Sequence, residues 1–231
     1  LKDGIIDHFG SGLMMIQNMN KPFEAKKSPT ETLVAIGIKN RNQLEKNLGQ
    51  MHSQFVAQGN SEMTREFLSH TIYLLDVAGF PYMPGLGPMA LPQEGGQNQM
   101  PKLAFTITDT HLILGLEKAV EKSLRTLAGG QDESIESQTW YQNAKTKMPA
   151  MVAMANLQND AASGELLWWM LKQNTQPDNP MAMGFPATVF GEMFDAKLLP
   201  EYDAVKKYFG ITTNYGISTP EGIYFESYSG K

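Results

Sequence analysis

The sequence predicts an α+β fold in which antiparallel sheets carry helices packed on one face. Three observations predict it. Residues 101–127 have the pattern of a β-hairpin followed at once by an amphipathic helix, residues 33–55 show a strand and then a helix, and residues 200–228 show a helix and then a second hairpin. Strands that are joined by short links pair antiparallel, so we expect antiparallel sheets.

The first predicted elements lie before residue 60. A short helical pattern stops at Gly10, and a strand is predicted at 13–16. A stronger strand at 33–38 leads into a helix whose apolar residues recur on one face: Leu44, Leu48, Met51 and Phe55. Asn40 is the expected N-cap residue of this helix, because its side chain can accept a hydrogen bond from a backbone N–H of the first turn.

The hairpin and helix at 101–127 form the clearest pattern in the chain. A β-rich run at 67–77 precedes them, separated by a loop at 79–100 in which repeated proline and glycine exclude a long helix or a central strand. The polar pair Asp109-Thr110 is the predicted turn between the two strands. Because the helix has one apolar face that must be buried, we expect Phe105 and Leu124 to lie in the core.

The second half of the chain repeats this style of organisation. A strand followed by a helix that is capped by Asn159 or Asp160 is predicted, and the terminal segment is another hairpin. The predicted order of elements in this half of the chain is connector 131–147, strand 150–155, helix with an apolar segment at 166–171, Pro-rich loop 174–186, helix 200–209 and hairpin 212–228.

A weak internal duplication relates the two halves. Phe9-Gly10 matches Phe209-Gly210 in its surroundings, and the strand and helix at 33–51 match those at 151–170. The duplication predicts two related α+β modules. They would span residues 1–130, with the loop at 79–100, and residues 131–231, with the loop at 174–186; the alternative is that both form one continuous domain.

Composition limits the classes of function. The 231 residues are 42% hydrophobic, which is enough for a substantial core. A net charge of −5 argues against a nucleic-acid surface, which needs clustered lysine and arginine. The absence of cysteine excludes a disulfide framework and Cys-ligated zinc. No apolar run approaches the roughly 20 residues that span a bilayer, so no transmembrane segment is expected.

No catalytic, cofactor-binding or metal-ligating residue can be assigned from motifs. The four histidines are scattered, and neither a dinucleotide fingerprint, a P-loop nor a nucleophile elbow occurs. The nearest pair, Asp109 and His111, is interpreted as part of the hairpin turn. We therefore expect no cofactor, and the sequence leaves the function open.

The best candidates for an interaction surface are the two Pro-rich loops, each of which contains Gly-Phe-Pro. Apolar residues in an irregular loop either fold back onto the core or contact a partner. The 15 methionines allow three interpretations: filling of core gaps, an adaptable apolar surface, or thioether ligation of a soft metal such as copper. The candidate interaction residues are Phe80, Tyr82, Met83, Leu86, Met181, Met183 and Phe185.

Three segments carry a family resemblance: LAFTITDTHLILG at 103–115, LLPEYDAVKKYFG at 198–210 and STPEGIYFESYS at 218–229. They resemble the uncharacterised secreted or envelope proteins of planctomycete-type bacteria, which are grouped as domains of unknown function. The resemblance implies export, a repeated α+β architecture and a periplasmic or secreted location. It implies no catalytic residues.

The sequence is compatible with three functions. The leading hypothesis is a non-catalytic bacterial envelope or periplasmic domain that binds a protein partner, associates with itself, or scaffolds a larger protein. The first alternative is a carrier of an apolar small molecule, with the Met/Trp-rich segment 166–171 lining its pocket. The second is an enzyme of unrecognised type, whose polar groups would converge from several segments.

Overall fold

The computed structural model describes residues 5–24, 29–75, 102–130, 133–173 and 198–230. The chain divides into two compact units between Gln131 and Asp132. In the described ranges, the first unit contains an antiparallel sheet of six strands and the second an antiparallel sheet of three. The predicted α+β class with antiparallel sheets is confirmed.

In its described residues, the first unit combines its sheet with two α-helices. The strand order in the sheet is β1-β2-β6-β5-β4-β3, so β1 and β3 are its outer strands. The elements are β1 (Phe9–Met19), β2 (Thr30–Ile38), α1 (Arg41–Met51), β3 (Thr64–Phe67), β4 (His70–Leu75), β5 (Leu103–Ile107), β6 (His111–Leu116) and α2 (Glu117–Leu127).

The predicted hairpin and helix are the centre of this unit. β5 is buried along its whole length and pairs with β6, with Phe105 opposite Leu114. Phe105 and Leu124 are both buried, as the sequence pattern predicts. β6 also pairs with β2, so the hairpin lies in the middle of the sheet rather than at its edge.

Helices cover both faces of the six-stranded sheet, whereas the sequence pattern predicted one face. α2 packs Val120 and Leu124 against residues of one face, which are Ile72, Leu74, Ala104 and Ile113. Leu44 of α1 packs with Ile107, and Ile38 and Leu112 lie against the same cluster. In a strand, neighbouring residues point to opposite faces. Because β5 is apolar on both faces, both require cover.

The start of α1 follows the prediction, but its C-terminal part does not. The side chain of Asn40 accepts a hydrogen bond from the backbone N–H of Gln43 at 3.1 Å, which confirms the N-cap. Beyond Met51 the helix continues in wider turns through residues 52–57. His52, four residues after Leu48, is buried, whereas Met51 and Phe55, which were predicted on the apolar face, are exposed.

The β-rich run at 67–77 contains a turn that the sequence did not indicate. Leu68 and Ser69 both have positive φ, at 48° and 61°, and link β3 to β4. This is the backbone geometry of a type I′ turn, which usually contains Asn-Gly. Because neither residue is typical of such a turn, the run resembled a single strand.

The second unit has its sheet in the order β7-β8-β9. Asn159 caps α4, since its side chain accepts a hydrogen bond from the N–H of Ala162 at 3.3 Å. The predicted terminal hairpin is present, while the predicted connector contains a helix. The elements are α3 (Thr139–Lys145), β7 (Met154–Asn159), α4 (Asp160–Gln173), α5 (Tyr202–Val205), β8 (Ile211–Thr219) and β9 (Gly222–Gly230).

The internal duplication stays a prediction. Both units contain a strand that leads directly into a helix, β2 into α1 and β7 into α4. In each unit that strand also pairs antiparallel with a longer neighbour, β1 in the first and β8 in the second. The described parts of the two sheets nevertheless differ in strand number.

Candidate interaction surface

The predicted interaction loops lie outside the described residues. This applies to every candidate named from the sequence: Phe80, Tyr82, Met83, Leu86, Met181, Met183 and Phe185. The described residues present two other apolar surfaces, one on outer strand β9 of the second unit and one on outer strand β1 of the first unit.

β9 is exposed along its full length. Its large side chains remain open to solvent: Phe225 is 68% exposed, Ile223 61%, Tyr224 57% and Tyr228 44%. One edge of β9 pairs with β8 along the whole strand, from Gly222, which lies opposite Thr219, to Gly230, which lies opposite Ile211. No strand in the described part of the chain pairs with the other edge.

One face of β9 continues an apolar row across the second sheet. Met154, Gly216 and Phe225 are neighbours on adjacent strands. A Cβ atom at Gly216 would lie 2.9 Å from Cγ of Met154 and 3.1 Å from Cε1 of Phe225. Because Gly216 has no side chain, the side chains of Met154 and Phe225 pack over it. Together with Ile223, they form a flat apolar surface on this face of the sheet.

The opposite face of β9 holds a single charge between two phenols. The hydroxyl of Tyr215 donates a hydrogen bond to Glu226, and that of Tyr228 donates to Glu226 Oε2 at 2.8 Å. The rings of Tyr215 and Tyr228 stack with their centroids 6.2 Å apart. The bonds from Tyr215 and Tyr228 lower the pKa of Glu226, and the same carboxylate raises the pKa of Tyr215. The two tyrosine hydroxyls thus hold the Glu226 carboxylate in place on this face of the sheet.

Apart from the charge of Glu226, β9 lacks the features that usually prevent strand addition at an edge. Natural edge strands are protected by lysine, proline, bulges or short length. The nine residues of β9 contain neither lysine nor proline, and their pairing with β8 runs without a register shift. The edge is therefore suited to accept another strand.

β1 is a second exposed outer strand with a less regular edge. Its pairing with β2 shifts register between Phe9 and Leu13. From Leu13 onward it pairs regularly and exposes four consecutive apolar side chains, two on each face: Leu13, Met14, Met15 and Ile16. The sequence predicted a strand here but not its position at the edge of the sheet.

The Asp109-Thr110-His111 segment is a turn, as interpreted from the sequence. Thr108 Oγ1 accepts a hydrogen bond from the N–H of His111 at 3.0 Å, and Thr110 Oγ1 lies 2.8 Å from His111 Nδ1. Asp109 forms an ion pair with Arg41 of α1. These contacts connect the hairpin to the helix and bring no further acid or base beside His111.

His52 is a buried polar residue that motif reasoning missed. Its Nε2–H donates to the carbonyl of Leu74 at 2.7 Å, and its ring packs edge-on against Tyr73 and Phe105. Nδ1 has no hydrogen-bond partner among the described residues. The available signal was spacing, because His52 continues the i, i+4 series of Leu44 and Leu48. A ring enclosed in this way is part of the core.

Neither a family model, a curated protein nor a solved structure matches this chain. The resemblance to planctomycete-type envelope proteins therefore stays a prediction. Within the described ranges, no group of three histidine, cysteine, aspartate or glutamate side chains is placed to hold a metal ion. None of the helices in those ranges combines the length and apolarity needed to cross a bilayer.

An exposed strand edge with apolar side chains on its faces can bind an extended segment of protein. In this mode of recognition, the added strand completes the backbone hydrogen bonds and its alternate side chains contact the two faces. One face of β9 presents an apolar row, and the other presents the Glu226 carboxylate with its hydrogen bond from Tyr215.

Proposed function

We propose that this chain is a non-catalytic domain of the bacterial envelope or periplasm that binds protein by accepting a partner strand at the edge of its sheet. The full exposure of β9 carries the proposal, since four large apolar side chains are left in water on a regular strand. The family resemblance supports the envelope or periplasmic setting. Strand β1 is a second, weaker site of the same kind.

The free energy available from burying β9 is sufficient for reversible binding. Covering a further ~100 Å² on each of Ile223, Tyr224, Phe225 and Tyr228 would contribute about 10 kcal/mol at ~25 cal/mol per Å². Association itself costs about 4–15 kcal/mol. The two terms are comparable, so the added backbone hydrogen bonds decide the net affinity. A transient interaction is expected.

Site-specific photo-crosslinking in the source bacterium tests this function. A benzophenone side chain replaces Phe225, and a matched control places it at Tyr208, an exposed aromatic residue of the same unit that lies outside the sheet. We expect a discrete adduct from position 225, identified by mass spectrometry, and little from position 208.

A second substitution shows whether the adduct depends on the strand. Ile223→Lys places a charge on the same face, two residues from the crosslinker, and should abolish the adduct. Equal yields at positions 208 and 225, or no adduct at 225, would contradict the proposal.

A further inference from the structure

We propose that the partner strand is β9 of a second copy of this chain. The two β9 strands pair antiparallel about a two-fold axis at Phe225. This pairing joins the three-stranded sheets of the two copies into one continuous sheet. This inference rests on the proposed function, because it requires the β9 edge to accept a strand. It adds the identity of the partner and the register.

Symmetry restricts the register. A two-fold axis perpendicular to the sheet keeps each face continuous, so directly opposite residues must belong to the same face. The axis must then pass through a residue of β9 and not between two residues. An axis at Glu226 would pair the whole strand, but it would place the two carboxylates directly opposite each other, which is destabilising.

An axis at Phe225 avoids this repulsion and aligns complementary side chains. It places Phe225 opposite its own copy, which is a favourable aromatic pair. On the other face it places Tyr224 opposite Glu226 of the second copy, where the phenol can donate to the carboxylate. The overlap covers residues 222–228 of each strand.

The neighbouring registers are less favourable. An axis at Tyr224 pairs only residues 222–226 and leaves Tyr228 uncovered. An axis at Ser227 pairs Phe225 with Ser229, so the most exposed ring of the strand gains no aromatic partner. Phe225 is therefore the preferred centre.

The area matches that of a weak dimer. With about 200 Å² for a large side chain, the exposed fractions of Ile223, Tyr224, Phe225 and Tyr228 leave roughly 450 Å² per copy. A symmetric pair doubles this area to roughly 900 Å², close to the ~1,000 Å² at which specific interfaces begin. The backbones of the two paired strands supply the remainder. A dissociation constant in the micromolar range is expected.

The absence of native cysteine makes disulfide mapping a direct test. Opposite residues of an antiparallel pair have Cα atoms about 4.5–5.5 Å apart, within the ~4.4–6.8 Å range of disulfides. Phe225→Cys should therefore form a crosslinked dimer under mild oxidation. Glu226→Cys should not, because it lies two positions from its own copy. Tyr208→Cys is the exposed control outside the sheet.

A mixed experiment keeps Phe225 in place. Ile223→Cys and Ser227→Cys lie opposite each other in the proposed register, so a mixture of the two variants should give the crosslinked heterodimer. Each variant alone should give much less. Predominant crosslinking of Glu226→Cys would overturn the register, and crosslinking no greater than that of Tyr208→Cys would overturn the dimer.

Sedimentation equilibrium of the wild-type chain separates this inference from the proposed function. A reversible monomer–dimer equilibrium that Ile223→Lys abolishes supports the second copy. A chain that remains monomeric at several hundred micromolar overturns the second copy. In that case, a different protein crosslinked at position 225 in cells would still support the proposed function, whereas no adduct of any kind would overturn both.

Discussion

Phe105 shows how one residue links the predicted hairpin to the core. It stacks on Tyr73 with the ring centroids 4.6 Å apart, and His52 packs edge-on against both rings. Its neighbour in sequence, Ala104, belongs to the cluster beneath α2 on the opposite face. Consecutive residues of β5 therefore stabilise two separate layers.

Replacing Phe105 should destabilise the first unit far more than replacing the nearby turn residue. Phe105→Ala leaves a cavity in a buried aromatic cluster and should cost about 3–5 kcal/mol. Asp109→Ala is the matched control, because it removes only a largely exposed ion pair with Arg41 and should cost about 0.2–1 kcal/mol. Urea unfolding measures both changes, and equal losses would contradict this view of the core.

Gly164 gives a prediction in which packing opposes helix propensity. Alanine is favoured over glycine by about 1 kcal/mol inside a helix. A Cβ atom at Gly164 would, however, lie 2.7 Å from Cε1 of the Phe209 ring. Gly164→Ala should therefore destabilise the second unit by up to about 2 kcal/mol net, given an overpacking cost of about 1–3 kcal/mol and a helix-propensity gain of about 1 kcal/mol.

A double mutant distinguishes this ring contact from a general effect on α4. Adding Phe209→Leu to Gly164→Ala removes the ring, so the alanine should then become neutral or stabilising relative to Phe209→Leu alone. Thermal unfolding of the four proteins gives the coupling. Strict additivity would show that the contact does not determine the effect.

Glu226 should make the second unit sensitive to acid. The pKa of Glu226 is lowered below its ordinary value of 4.5, so the stabilisation is present above pH 4.5 and is lost as pH falls through the lowered pKa. The advantage of wild type over Tyr215→Phe should be constant near neutral pH and shrink in acid. Carboxyl NMR titration locates the midpoint, and a midpoint at or above 4.5 would contradict the prediction.

The turn of the β3–β4 hairpin contains two residues, Leu68 and Ser69, that are not favoured at positive φ. β3 is nevertheless held to α2 by ion pairs from Arg65 to Glu117, at 2.9 Å, and to Glu121. Guanidinium groups of Arg65 and Arg125 also lie 5.7 Å and 5.1 Å from the centroid of the Phe67 ring. These contacts maintain a hairpin whose turn residues are both left-handed.

Optimising that turn should stabilise the protein. Leu68→Asn with Ser69→Gly supplies the residues preferred at positive φ in a type I′ turn. Relieving the backbone strain should raise the free energy of unfolding by about 0.5–1 kcal/mol. Ser69→Val is the control and should lower it, because β-branched residues disfavour positive φ. A destabilised Asn-Gly variant would show that Leu68 contributes packing beyond its exposed position.

At the scale of the whole molecule, charge opposes the proposed dimer. Each copy carries a net charge of −5, so two copies repel each other. Apolar and aromatic contacts along β9 must overcome this repulsion, which salt screens over a Debye length of about 10 Å at 0.1 M.

Salt should therefore strengthen self-association. Raising NaCl from about 20 to about 300 mM should lower the dissociation constant several-fold, because the repulsion between copies is screened. Sedimentation at both concentrations measures this shift. Ile223→Lys serves as the control that should stay monomeric in both, and weaker association at high salt would indicate an interface held by opposite charges instead.

The sequence by itself determined the features that depend on local periodicity and local hydrogen bonds. The alternation of apolar residues at 103–107 defined the central hairpin, and the i, i+3, i+4 pattern after Leu116 defined α2. Asn40 could be predicted as a cap because its acceptor lies within one turn of its donor. Burial of Phe105 and Leu124 followed from the same patterns.

Only the tertiary structure decided which strands lie at an edge and what the helices cover. An apolar run such as Leu13–Ile16 or Ile223–Phe225 has the same pattern in an inner and an outer strand. Its position depends on pairings between distant segments, such as β2 with β6. The apolar surface on β9 and the placement of α1 and α2 on opposite faces are consequences of that long-range pairing, which local sequence periods do not encode.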